Sequence, residues 1–246
     1  MTTLAKSLSG ALLAVLLSGA CASAPRQNAA APLRLLIVTG GHGFKAEPFF
    51  QMFADDAGLT YTAATQAQAA EAYERPDLLD FDAVLLYDSP TEITEEQKAH
   101  FHALFEKGIG VVVLHHALLS YQKWPEYERV AGGKYLLDVE RNGDLVSPES
   151  TYEEPRDFPV HVIAPEHPVA RGLTDFTLHD ELYHGVRMGR DVVPVLDTGG
   201  QVLAWTRTEK RSRVFATMLG HGSSAYGDPH FRQLLSQAIR WVARRS

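Results

Sequence analysis

Apolar residues in this chain fall into two alternating patterns. Unbroken apolar runs stand at "LRLLIVTG" (Leu33–Gly40), "FDAVLLYDS" (Phe81–Ser89) and "IGVVVLH" (Ile109–His115), as expected of central strands buried on both faces. Stretches of helical period lie between them. "AEPFFQMFADDAG" carries an apolar stripe with Gly58 as its stop. "TEEQKAHFHALFEKG" opens on a Thr94/Gln97 capping box, closes on Gly108, and aligns Ile93, Phe101, Leu104 and Phe105. With "LTYTAAT" as a further strand, this alternation predicts an α/β fold built on a mostly parallel sheet. More strands are expected at "FPVHVIA", "DVVPVLD", "QVLAWTR" and "SRVFATML". The chain closes on a helix in which Phe231, Leu234, Leu235, Ala238, Ile239 and Val242 keep the helical period. Ser120 to Phe158 lacks strong periodicity and is expected to cover the site. No repeat or composition break divides residues 33–246, which read as one domain.

The first residues change the picture of where the protein works. Lys6 precedes "ALLAVLLSGA", which is too short to span a bilayer, so residues 1–24 read as a signal peptide or lipoprotein signal. "SGAC" ending at Cys21 resembles a lipobox, with Ser18 where Leu is usual, while Ala20-Cys21-Ala22 offers a small-x-small cleavage site. Either route predicts an exported protein, periplasmic or held to the membrane by a lipid on Cys21. Residues 25–32 then form a flexible tether. Cys21 is the only cysteine of the 246 residues, which excludes disulfides, a cysteine nucleophile and cysteine-ligated metal in the mature domain. A net charge of −7 argues against a nucleic-acid partner. The basic cluster Arg240, Arg244 and Arg245 falls at the end of the last helix, where it complements the helix dipole.

Histidine stands beside glycine or acid at four places: "TGGHGF" (Gly41, His42), "LHHALLS" (His115, His116), "LHDELYH" (His179, Asp180, Glu181, Tyr183, His184) and "LGHGSSAYGDP" (His221). Three of the four follow an apolar run. Ligands of parallel sheets bind outside the carboxyl ends of the strands, so His42 and His115/His116 become neighbours if their strands are adjacent. Imidazole can bind metal or move protons near neutral pH, and glycine lets backbone approach a ligand. "TGGHGF" lacks the spacing of a nucleotide loop, and no G-x-S-x-G elbow exists. His179 and His184 are five apart, about 140° around a helix, so they share a metal only if the segment is not helical. A divalent metal such as zinc suits these donors, with His42, His116 and His184 as candidate ligands. Tyr121, Trp124 and Trp205 offer either a sugar-stacking wall or core packing. His100 and His102 read as solvated, His161 and His230 as structural.

Taken together, "LIVTGGHGF", "GIGVVVLHHAL", Trp124, Gly132–Gly133, "APEHPVARGL", "DELY", Ala204–Trp205, "SRVFATMLGHG" and "AIRWV" resemble the ThuA-like family, named for trehalose utilisation, in the class I glutamine amidotransferase-like superfamily. The resemblance implies a flavodoxin-like doubly wound fold with helices on both faces. It also implies that His115-His116 occupies the turn where amidotransferases carry their nucleophilic cysteine, and that His221 is the counterpart of their strand-end histidine. No glutamate follows His221 closely, so glutamine hydrolysis is not expected. The implied substrate is a carbohydrate: a trehalose-type glycoside or its 3-keto derivative. On that chemistry Glu181 or Asp180 serves as base, His115 and His116 as polarising groups or ligands, and His42 and His221 as donors. Tyr183, Tyr121 and Trp124 contact the sugar. A non-catalytic sugar-binding lipoprotein and a metal-dependent hydrolase are the alternative expectations.

Overall fold

Burial with a period of two decides the fold. In β1 (Leu33–Gly40), Leu35 and Ile37 join one apolar cluster and Leu36 and Val38 the other. After β2 (Leu59–Thr65), the strands β3 (Ala83–Asp88) and β4 (Gly110–Leu114) repeat the division. Leu85, Val112 and Leu114 lie on the first side, and Leu86, Val111 and Val113 on the second. A strand apolar on both faces is stable only inside a sheet covered on both sides. The computed structural model in which this is seen describes residues 1–2, 31–65 and 71–245. The signal segment, Cys21 and residues 25–30 of the tether lie outside the described residues. Pro32–Ser246 forms a unit distinct from Met1–Ala31.

The other strands are β5 (Gly133–Lys134), β6 (Glu140–Asn142), β7 (Leu145–Ser147), β8 (Thr151–Val162), β9 (Phe176–His184), β10 (Arg187–Met188), β11 (Val193–Thr198), β12 (Gln201–Glu209) and β13 (Ser212–Thr217). Nine strands form the main sheet in the order β2-β1-β3-β4-β13-β12-β11-β8-β9. Strands β2, β1, β3, β4 and β13 are parallel, and they reproduce the flavodoxin-like order with β13 as the fifth strand. From β13 onward the pairings to β12, β11, β8 and β9 are antiparallel. The sheet is therefore mixed: the expected parallel core carries an antiparallel extension.

Helices cover both faces. They are α1 (Ala46–Ala54), α2 (Glu95–Lys107), α3 (Pro125–Ala131), α4 (Ser223–Gly227) and α5 (Pro229–Val242). Phe49 and Phe53 of α1, Tyr226 of α4 and Phe231 and Leu235 of α5 pack on one face; Phe101 and Leu104 of α2 and Tyr127 and Val130 of α3 pack on the other. Gly58 does not end α1, which stops at Ala54. Instead its bare Cα faces Arg240, whose guanidinium a Cβ would meet at 2.7 Å. Arg240 itself pairs with Asp56 at 2.6 Å. No helix among the described residues is long and apolar enough to cross a membrane.

The capping box of α2 forms as expected: Thr94 Oγ1 accepts from the Gln97 amide at 3.2 Å, and Gln97 Oε1 from the Thr94 amide at 2.9 Å. Thr94→Ala is expected to cost about 1 kcal/mol of unfolding free energy. A lower urea midpoint at unchanged slope would report it.

Candidate active site

The carboxyl edge of the parallel strands is built by one strained residue and one clamped turn. β4 ends at Leu114, and His115 follows with φ +50, in the left-handed region that a β-carbon disfavours. The chain then turns through a 3-10 segment, His115–Leu119. This elbow buries His115 completely and brings its Nδ1 to 2.6 Å from the Met218 carbonyl. A carbonyl only accepts, so Nδ1 carries the hydrogen. In the neutral ring Nε2 then presents its lone pair, 3.0 Å from Glu181 Oε2 and 3.1 Å from His221 Nδ1. His221 Nδ1 lies 3.3 Å from the same carboxylate oxygen. Tyr183 stacks on His115 with ring centroids 4.4 Å apart.

His221 follows β13, and its turn is held from two sides. Buried Asp180 accepts from the backbone N–H groups of Gly220 at 2.6 Å and His221 at 3.0 Å. On the carbonyl side, the Tyr87 hydroxyl reaches Gly220 O at 2.9 Å and the Tyr226 hydroxyl reaches His221 O at 3.0 Å, while the two hydroxyls meet at 2.5 Å. Gly220 has φ +104, and a Cβ there would strike Phe231 at 2.8 Å, so both space and conformation demand glycine.

Charge is distributed unevenly across the site. Burial pushes Glu181 up, but hydrogen bonds and charge from His115 and His221 outweigh it and bring the carboxyl down to about 2. The same hydrogen bond raises His221, against burial. Desolvation, reinforced by the charges of His115 and His42, holds His116 well below its ordinary value. Desolvation likewise lowers His42. In chelator-treated protein the Glu181 share of stability is present above its ordinary value of 4.5 and lost as pH falls toward 2. The His221 share is present below 6.5 and lost as pH rises through its raised value. The excess urea midpoint of the native protein over His221→Ala is therefore expected to shrink as pH climbs past 6.5.

The predicted residues divide into those gathered here and those placed elsewhere. The strands before His42 and His115 are not adjacent, since β3 separates them. The loops nevertheless meet: His42 stacks on His116 at 4.6 Å and lies edge-on to His221 at 5.8 Å. Gly41 has φ +73 and would carry a Cβ into Ser89 at 2.8 Å, so its role is to fit the His42 loop against the end of β3. Asp180 faces backbone amides rather than open space and is no longer a candidate base. Trp124 and Tyr121 are buried, and their rings pack with each other and with Tyr127 in the core under α2 and α3. They form no sugar wall. The "HDELYH" segment is strand β9, in which residues five apart face opposite ways. His179 accordingly bonds Asp157, and His184 bonds Glu153 and Gln201. His184, His42 and His116 do not converge as ligands. Among the described residues, the donor atoms that do converge are those of His115, Glu181 and His221, all within 4.8 Å of one another. Sequence reasoning missed Tyr87 and Tyr226. Tyr87 closes an apolar strand, the same signal that marks His42 and His115.

A profile of the trehalose-utilisation (ThuA) family matches residues 34–242. Among solved structures, a ThuA-like protein from Parabacteroides merdae superposes with a TM-score of 0.72 at 21% identity, over 86% of this chain and 90% of that one. A second ThuA-like protein, from Bacteroides uniformis, gives 0.65 at 22% identity, over 89% and 95%. A glutamine amidotransferase from Thermotoga maritima gives 0.50 at 10% identity, over 86% and 98%; likenesses this distant in sequence concern the fold. No curated protein matches the chain.

Proposed function

Because the chain belongs to the trehalose-utilisation (ThuA) family, we propose that it is an enzyme of sugar utilisation that removes the proton beside the ketone of a trehalose-type 3-keto-glycoside. The observation that carries this reading is His116. It is 1% exposed, and neither ring nitrogen makes a well-formed hydrogen bond among the described residues. Kept neutral by burial, such an imidazole is a free base at neutral pH.

In the proposed step the substrate C–H bond breaks and its proton passes to a ring nitrogen of His116. The electron pair moves onto the ketone oxygen, and the enolate is held by N–H donors of His221 and His42. Glu181 is already engaged, with Oε2 at 3.0 Å from His115 Nε2 and 3.3 Å from His221 Nδ1. Its charge instead supports the imidazoles on either side. His42 is exposed at the rim, where a sugar would enter.

Incubating purified protein with 3-ketotrehalose in D2O tests the reading. The signal of the proton beside the ketone is expected to vanish by exchange, and His116→Ala to slow that loss at least about a hundredfold. Tight calorimetric binding with no exchange would replace the enzyme by a sugar-binding protein. We also propose export, on the pattern of residues 1–24. Intact-mass analysis of protein from the native cell envelope is expected to find a chain beginning at Cys21 with lipid, or at Ser23 without.

A further inference from the structure

The Nε2 of His115 has too many partners for one proton. With Nδ1–H committed to the Met218 carbonyl, Nε2 faces both a carboxylate oxygen and the Nδ1 of His221, at 3.0 and 3.1 Å. Glu181 Oε2 and His221 Nδ1 close the triangle at 3.3 Å. However hydrogens are shared among the three atoms, at least one edge of the triangle opposes two lone pairs or two N–H groups. A cation above the triangle satisfies all three atoms at once.

We propose that His115 Nε2, Glu181 Oε2 and His221 Nδ1 bind a divalent first-row transition metal, with further coordination positions open toward His42. The spacing fits. Ligands about 2.1 Å from a metal lie about 3.0 Å apart in octahedral and about 3.4 Å apart in tetrahedral geometry, and the three edges fall between these. The donor set fits as well. Two imidazoles and a carboxylate leave room for water or substrate, as in catalytic zinc sites and in two-histidine, one-carboxylate iron sites.

The surroundings match what metal sites require beyond their ligands. The hydrogen bond from His115 Nδ1 to Met218 fixes the tautomer that aims the other nitrogen inward. Asp180, Tyr87 and Tyr226 fix the turn that carries His221. Exposure rises from His115, fully buried, through Glu181 to His221, whose side chain is 30% exposed. The open side is therefore the side where His42 lies against His221. Metal binding at these three atoms is independent of which sugar the protein turns over.

The test is metal analysis of protein expressed without a histidine tag. After chelation, the protein is titrated separately with Zn²⁺, Fe²⁺, Mn²⁺ and Co²⁺ alone. One metal per chain is expected, with affinity falling at least tenfold in both His221→Ala and Glu181→Gln and unchanged in His161→Ala, whose imidazole bonds Asp175 elsewhere. The Co²⁺ form of the native protein is expected to show visible absorption that distinguishes four-coordinate from six-coordinate binding. Circular dichroism establishes that each variant is folded. Should a variant not fold, loss of the native protein's histidine ring NMR signals on adding Co²⁺ identifies the ligands directly. Binding below one-tenth of a metal per chain, or full affinity retained in both ligand variants, overturns the site. Because metal is measured without substrate, that failure is distinct from a failure of the keto-sugar exchange.

Discussion

Glu181→Gln is expected to lower the rate of keto-sugar proton exchange by about a hundred- to a thousandfold, the size of effect seen when one electrostatic partner leaves a preorganised site. The amide has the shape of the carboxylate, so packing at this position is preserved. What disappears is the negative charge between His115 Nε2 and His221 Nδ1, 3.0 and 3.3 Å away. His221 owes its raised pKa first to its hydrogen bond with Glu181, so in metal-free variant protein it relaxes toward 6.5 and carries its second proton over a narrower pH range. In chelator-treated protein the limb of the pH–rate profile that belongs to His221 should accordingly move to lower pH. KM should change little, because Glu181 is buried while His42, at the rim, is left intact. Some folding stability should be lost as well, since the hydrogen bonds and charge of His115 and His221 outweigh the desolvation of the carboxylate, but circular dichroism should show the variant folded. An unchanged exchange rate in a folded Glu181→Gln protein would sink the assignment of this centre to the chemistry.

Much of the fold was legible because its signals are local. The apolar runs of β1, β3 and β4 report burial on two faces, and Thr94, Gln97 and Gly108 mark the ends of α2 without reference to anything distant. The histidines at strand ends were legible for a related reason, since parallel strands bring their carboxyl ends to one edge. The partners of those histidines were not. Glu181 reaches His115 across 66 residues and Asp180 reaches Gly220 across 40, and both ride on β9, an antiparallel strand that no periodicity assigns to the parallel edge. Tyr121 and Trp124 show a second limit. Their amphipathic rings suit a sugar site and a core equally well, and only the packing of α2 and α3 against the sheet decides for the core. The His179–His184 spacing shows a third: once the segment is a strand, an odd spacing puts the two rings on opposite faces.

Asp180→Ala is expected to be the most destabilising change in the site, although it removes no atom assigned to substrate or metal. The Asp180 carboxylate is 1% exposed and accepts two backbone N–H groups, from Gly220 and His221. Alanine leaves both donors buried without partners. At about 1–3 kcal/mol for each unsatisfied group, the loss is about 2–6 kcal/mol, readable as a fall in urea midpoint at unchanged slope. Tyr87 and Tyr226 still hold the carbonyl side of the turn, so the turn should loosen rather than unravel. His221 Nδ1 would then no longer be held 3.1 Å from His115 Nε2, and metal affinity and proton exchange should fall together. Asp180→Asn separates geometry from charge. Its side-chain oxygen can still accept from the turn, and it carries no buried charge; burial already raises the Asp180 pKa more than its partners lower it. Asparagine is therefore expected to restore most of the stability and most of the exchange rate. If it restores stability alone, the negative charge of Asp180 acts on His115 and His221 directly, and the residue tunes the centre as well as positioning it.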